Sequence, residues 1–285
     1  LSSGPDSMRT GIDHLVSLVE DLERARAAAR RLGFQITERG VHPGRGTVNS
    51  LIMLPDCYWE LLALSEPRPQ NLTYRNQLAR RGGLAGCAFA TDDLARSRAR
   101  AALDGVRLGE GVEISRPVSF GDEEDVARFQ IADARVAAPF EAFFFFCNQR
   151  TPDLVWRSEW LDHPNGAVAI SALHVVFDED EAVVRELAAM ADGAVASKET
   201  GFVVTSSHLP RIHCLSPQNF QLMFPGSGPG PRNPHIAAME VRVRDLRRTR
   251  DLLDRAGVPT QANADRVWVA RPDLGEGLIV FAETP

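Results

Sequence analysis

Four side chains able to hold a cation stand at matching places along this 285-residue chain: His14, Glu60, His174 and Gln221. His14 and His174 each lie seven residues before an acid that is followed twelve residues later by glycine, Asp21/Gly33 and Glu181/Gly193. The acid–glycine pair recurs at Asp93/Gly105 and Asp245/Gly257, where the upstream position holds Gly86 and Ala238, neither of which can ligate a metal. Glu60 and Gln221 fall near the ends of the first and third copies. Two neutral imidazoles and a carboxylate with open positions suit Fe(II), Mn(II), Zn(II), Ni(II) or a similar ion. Gln221 would then be a fourth ligand or orient a bound water. A single strand histidine is commonly an ordinary hydrogen-bonded residue, so the argument rests on the register of the pair with Glu60. A carboxylate among apolar strand residues is costly unless it is paired or coordinated.

Each copy reads as a strand, a helix and three further strands. In the first, IDHLVSL forms a strand, Asp21 caps a helix of alanine, leucine and arginine, and Gly33 ends it. Phe34 to Thr37 begins a second strand, Thr47 to Leu54 a third, and Tyr58 to Leu64 a fourth. Alternation puts Ile12, His14 and Val16 on one face of the first strand, opposite Asp13, Leu15 and Ser17. The second copy closes on PFEAFFFFCN, the third on Asn219 to Phe224, and the fourth on Gly277 to Phe281. The units span 11–66, 82–148, 167–225 and 235–283, grouped as an N-terminal pair, 8–150, and a C-terminal pair, 167–285. The break between the last two is Pro225 to Pro234, rich in glycine and proline. One such unit exposes a curved apolar sheet face, and two side by side close it into a half-barrel cup. The fold class is therefore α+β, with four βαβββ modules forming two cups.

A second set of polar residues lies in His42-Pro-Gly-Arg45-Gly-Thr, with Asn49 just beyond. Its glycines allow close backbone approach, and Arg45 suits a carboxylate or phosphate on a substrate; the alternative is a tight turn with a solvated arginine. His163-Pro-Asn-Gly reads as a structural turn, and Trp156 and Trp160 as packing over a cup mouth. Four scattered cysteines without a CxxC pair read as buried thiols. A net charge of −6 argues against a nucleic-acid partner, and no apolar run approaches a membrane span. With residues 1–7 read as preceding a natural start at Met8, and no secretory leader, the expected location is cytoplasmic. Dinucleotide-binding, P-loop and GxSxG signatures do not occur.

The repeated βαβββ unit, with His on its first strand and Glu on its fourth, resembles the vicinal oxygen chelate superfamily. More specifically, GIDHLVSLVEDL, HPGRGTVNSLIML with WELL, and TPDLVW followed by HPNGA are similar to the bacterial glyoxalase-like domain proteins over roughly residues 8 to 180. The resemblance implies a divalent metal at a cup centre, held by His14, Glu60 and His174. Gln221 departs from it, standing where a four-ligand glyoxalase site carries a second carboxylate.

Ligands in units one and three pose a pairing question. Pairing one with two and three with four leaves half-sites, whereas pairing one with three, or exchange within a homodimer, assembles them in one cup. The single-site reading favours one with three. The leading expectation is a metal-dependent lyase or isomerase that chelates two adjacent substrate oxygens, with Glu60 moving the proton. Ring-cleaving dioxygenation and metal-free binding of a metabolite or antibiotic are the alternatives.

Overall fold

The computed structural model describes residues 10–283 apart from 121–122, 179, 209, 229 and 231–232. The expected start at Met8 lies outside the described residues. Unit one comprises β1 (Ile12–Val19), α1 (Leu22–Arg31), β2 (Gly40–His42), β3 (Thr47–Met53) and β4 (Tyr58–Leu64). After α2 (Leu72–Arg80), unit two runs β5 (Gly83–Ala90), α3 (Leu94–Ala102), β6 (Arg107–Leu108), β7 (Val112–Phe120), β8 (Glu123–Arg135) and β9 (Phe143–Gln149). Unit three has β10 (Ala167–Val176), α4 (Glu181–Ala191), β11 (Ala194–Lys198), β12 (Gly201–Thr205), β13 (Arg211–Leu215) and then α5 (Pro217–Met223). Unit four has β14 (His235–Val243), α6 (Leu246–Arg255), β15 (Gln261–Ala262), β16 (Arg266–Ala270) and β17 (Leu278–Ala282).

The acid–glycine rhythm is a pair of helix caps. Asp21, Asp93 and Asp245 accept backbone N–H groups at the starts of α1, α3 and α6, which satisfies donors that the helix itself leaves orphaned. Gly33, Gly105 and Gly257 adopt the left-handed backbone just past the ends of those helices. Unit three is shifted by one residue: Asp180 caps α4 in place of Glu181, and Asp192 takes the left-handed turn at φ 53° in place of Gly193.

The pseudo-repeat governs topology. One sheet has the order β2-β3-β4-β1-β5-β9-β8-β6, with β7 added against β8, and the other has β11-β12-β13-β10-β14-β17-β16-β15. Units one and two thus share a sheet, as do three and four, which corrects the expectation that one would pair with three. The central strands decide this. Antiparallel β1 and β5 pair from Ile12↔Phe89 to Leu18↔Gly83, and β10 and β14 pair from Ala167↔Val243 to Val176↔His235. Leu15 and Cys87 of one sheet, and Leu173, Val175, Met239 and Val241 of the other, face a single shared core with α1 and α4. Residues alternating with these face outward into two separate cups, lined by Val16, Leu18 and Leu62 in one and by Val176, Ala238 and Val280 in the other.

Two strands also differ from the sequence reading. The second strand of unit one begins at Gly40 rather than Phe34, so His42 ends a strand. Residues 219–224 are largely helical: Ser216 accepts from Asn219 N and Pro217 opens α5, a start signal stronger than the apolar run behind it. The closing strand of unit three is β13. None of the described helices is long and apolar enough to cross a membrane.

Candidate active site

His14 owes its setting to an irregularity in β1. The register with β5 shifts between Ile12 and His14, so Asp13 and His14 both face the N-terminal cup instead of opposite sides. Asp13 Oδ1 lies 2.6 Å from His14 Nδ1 and also accepts from Gln149 Nε2 at 2.8 Å. A carboxylate oxygen accepts, so the ring donates from Nδ1, and the tautomer this selects carries its lone pair on Nε2. Tyr58 stacks on the ring at 4.4 Å and fixes its plane. Nε2 lies 3.8 Å from Glu60 Oε2. The other Glu60 oxygen accepts from Asn49 Nδ2 at 2.6 Å, a short charge-assisted bond that offsets part of the cost of burial.

The cup encloses a narrow cavity of about 70 Å³, lined in part by His14, His42, Arg45, Asn49, Glu60 and Arg116. Burial pushes the His42 pKa down to about 4, outweighing Glu60, so the ring is neutral near pH 7. Its Nδ1 lies 2.9 Å from Thr47 Oγ1, and Asn49 Nδ2 lies 3.4 Å from its Nε2. Burial raises the Tyr58 phenol well above its ordinary range and the Tyr74 phenol to about 12, so both stay protonated donors. Burial lowers Arg116 somewhat, while Tyr58 and Glu60 beside it favour its charge. Its guanidinium sits 5.9 Å over the Phe129 ring.

His174 and Gln221 are elsewhere. His174 faces the C-terminal cup, stacked on His213 at 5.2 Å and edge-on to Phe224 at 5.1 Å. Both of its ring nitrogens are buried with no hydrogen-bond partner among the described residues, and Glu240 Oε2 lies 3.6 Å from Nε2. Glu240 is bound instead by Arg266 Nε at 2.9 Å and Ser171 Oγ at 3.0 Å. Burial would raise the Glu240 carboxyl, but His174 and Arg266 outweigh it and hold the pKa at about 2. Gln221 lies on the exposed side of α5 and donates to Gly228 O at 3.2 Å. Both cups face away from the shared core, so the structure brings His14, Glu60, His42, Arg45 and Asn49 together and separates them from His174 and Gln221.

His14 Nε2 and Glu60 Oε2 fit a first-row cation as two of its ligands, because two bonds of about 2.1 Å span up to about 4.2 Å. The imidazole lone pair and the carboxylate oxygen are the right donor types. Asp13, His14 and Cys147 also form a buried group whose ligand atoms lie within 4.8 Å of one another, although Asp13 already engages His14 Nδ1 there.

Sequence reasoning missed Asp13, Tyr58 and Arg116. Strict alternation placed Asp13 on the wrong face, because a bulge leaves no composition signal. Arg116 was findable: it alternates with Ile114 and Val118 along β7, an arginine set into an apolar stripe. The HPNG turn is structural as expected, with His163 Nε2 2.7 Å from Met53 O and Asn165 donating to Leu32 O at 2.9 Å. Trp156 lies edge-on to Tyr58 at 5.4 Å, and the four cysteines are buried thiols outside any disulfide.

The chain matches the glyoxalase-like domain family over residues 12–191. No curated protein sequence matches it. Among solved structures, a hypothetical protein from Staphylococcus aureus aligns over 96% of this chain and 99% of its own, with a TM-score of 0.67 at 11% identity. A mutant of 4-hydroxymandelate synthase from Streptomyces coelicolor aligns over 98% of this chain and 95% of its own, with a TM-score of 0.62 at 12% identity. A xylose isomerase-like TIM barrel/4-hydroxyphenylpyruvate dioxygenase fusion protein aligns over 99% of this chain but 51% of its own, with a TM-score of 0.61 at 15% identity. At such identities these likenesses speak for the fold alone. The match across more than half of the chain, on two sheets of paired βαβββ units, makes this protein a member of the glyoxalase-like domain family within the vicinal oxygen chelate superfamily.

Proposed function

We propose that the N-terminal cup is a proton-transfer site for a small oxygen-rich anion, giving lyase or isomerase chemistry of the glyoxalase kind. The observation that carries this is Glu60: a carboxylate only 7% exposed, with one oxygen tied to Asn49 and the other beside His14 Nε2 at the cavity wall. Oε2, the oxygen Asn49 leaves unbound, takes a proton from a carbon next to a substrate carbonyl. Arg45 and Arg116 attract the anion and orient it by paired N–H donors. Charge that develops on the substrate oxygens meets Arg116 and the Tyr58 hydroxyl in a site shielded from water. Asp13 keeps His14 in one tautomer and one plane, so its lone pair stays on the cavity side.

Lewis acidity at the cup wall is what a divalent ion held by His14 and Glu60 would supply. Which ion, and whether substrate oxygens complete its shell, are questions for elemental analysis of protein purified without chelator. Stoichiometric metal lost in both His14→Ala and Glu60→Gln would support this dependence. Full metal content in both variants would refute it.

The ring-cleaving alternative needs a second imidazole on the same ion: His174 faces the other cup, and His42, which lines this cavity, sits against Thr47 Oγ1 and Asn49 Nδ2. Sequestration without turnover is the second reading, favoured by the aromatic walls of the cavity, Tyr58, Tyr74, Phe129 and Phe145. A panel of 2-oxo and 2-hydroxy acids separates the two. Glu60-dependent turnover, or solvent deuterium entering the carbon next to the carbonyl, supports the proton-transfer site. A raised melting temperature without either assigns the cup to binding.

A further inference from the structure

A second cavity, of about 660 Å³, lies where the two halves meet and shares no lining residue with the cavity that holds His14 and Glu60. Leu18 and Leu78 enter it from one half, and Val176, Phe220, Ala237 and Leu278 from the other. Its volume falls within the usual span for small-molecule sites, and an apolar floor with a few converging polar groups is their usual make-up.

Its charged lining comprises three arginines, Arg24, Arg81 and Arg271, and four acids, Glu20, Asp21, Asp273 and Glu276. Arg81, its side chain 6% exposed, sets Nε 2.8 Å from Glu276 Oε2 and donates from Nη2 to Ile236 O at 3.4 Å. Its Nη1 is buried with no partner among the described residues, as are Arg271 Nε and Ser227 Oγ of the same cavity lining. Buried polar groups are almost always hydrogen-bonded, so three unpaired groups around one space call for an explanation. Three of the four carboxylates are already engaged: Glu276 by Arg81, Asp273 by Arg24 at 2.7 Å and Arg271 at 3.2 Å, and Asp21 by the first N–H groups of α1, while Glu20 is exposed. His235 sets Nδ1 3.0 Å from Asn233 O, and burial lowers its pKa to about 4, so it brings no further charge. The unmet need is for hydrogen-bond acceptors beside an apolar floor.

We propose that this cavity between the halves is a second small-molecule site, taking an amphipathic monocarboxylate whose head group is held by Arg81, Ser227 and Arg271. Its apolar body lies against Leu78, Phe220 and Leu278. The site is independent of the proton-transfer reading of the cup, and either can fail alone.

Calorimetric titration of the full chain with sodium octanoate tests it, with 1-octanol as the neutral counterpart and inorganic phosphate as a competing oxyanion. Octanoate should bind one per chain, and octanol at least tenfold more weakly. Arg271→Gln should weaken octanoate binding three- to tenfold, Arg81→Gln at least tenfold, and Ala237→Phe should abolish it by filling the floor. Because Arg81 also anchors Glu276, Arg271→Gln decides the matter if the Arg81 variant fails to fold. Glu60→Gln should leave octanoate binding unchanged. No binding by the unaltered protein, equal affinity for octanol, no effect of Arg271→Gln, or loss of binding in Glu60→Gln would each overturn the proposal. Displacement of octanoate by equimolar phosphate would overturn the carboxylate assignment.

Discussion

In the N-terminal cup the segment after the closing strand of unit one becomes α2, which brings Tyr74 to the cavity wall and leaves the wall around Glu60 open. In the C-terminal cup the corresponding segment becomes α5, and Phe220 and Phe224 drop into the bowl beside Trp268. Strand order is the same in both apart from β7, which is added to the N-terminal sheet and brings Arg116 to the cavity, so the difference comes from that strand and a few side chains laid on one scaffold. It extends to the charges. Glu60 has an amide and an imidazole for company and faces a cavity, whereas Glu240 is tied to Arg266 and Ser171 beneath aromatic rings. One carboxylate is left free to react; the other is held as part of the packing.

The largest test of this contrast is catalytic. Glu60→Gln should lower turnover by about 10²- to 10⁴-fold, the usual worth of a general base, while Glu240→Gln leaves it within about threefold. Steady-state rates on a substrate from the oxo-acid panel read both, and the reverse ranking would move the active cup to the C-terminal half. Next in size is the plug. Phe224→Ala should cost about 3–5 kcal/mol in chemical denaturation, because a buried ring leaves a cavity that neighbours only partly fill.

The third test is titration. Glu240 has a folded pKa of about 2 against an ordinary 4.5, so it stabilises the fold fully above pH 4.5 and loses that contribution as pH falls toward 2. The stake is on the order of 3 kcal/mol. Denaturation midpoints measured between pH 5 and 2 should fall less steeply in Glu240→Gln, and an unchanged slope would show that the pair with Arg266 contributes little. The smallest effect is expected at Asn49→Ala, which removes the 2.6 Å bond to Glu60. It should cost about 1–2 kcal/mol of stability, read in the same denaturation experiment.

Much of this was legible in advance. The caps Asp21, Asp93 and Asp245 and their glycines announce helices by local chemistry, and YWELLAL matches the residues of β4. His14 and Glu60 were readable as partners because both sit on strands of one unit, where register is nearly fixed by alternation. Asp13 was not, since the bulge that turns it toward His14 is set by pairing with β5. Gln221 was misplaced because NFQLMF is apolar enough for a strand, and only the Ser216-Pro217 start makes it a helix.

By itself the sequence determined the repeated strand–helix pattern, the capped starts of α1, α3 and α6, and the placing of His14 and Glu60 on strands of one unit, all of which follow from short-range capping and two-residue alternation. Tertiary structure alone decided that neighbouring units share a sheet and that the two cups turn their backs on one core. It also decided that His174 answers to Glu240 rather than to Glu60. Those outcomes depend on contacts between strands far apart in the chain, and identical periodicity permits more than one such pairing.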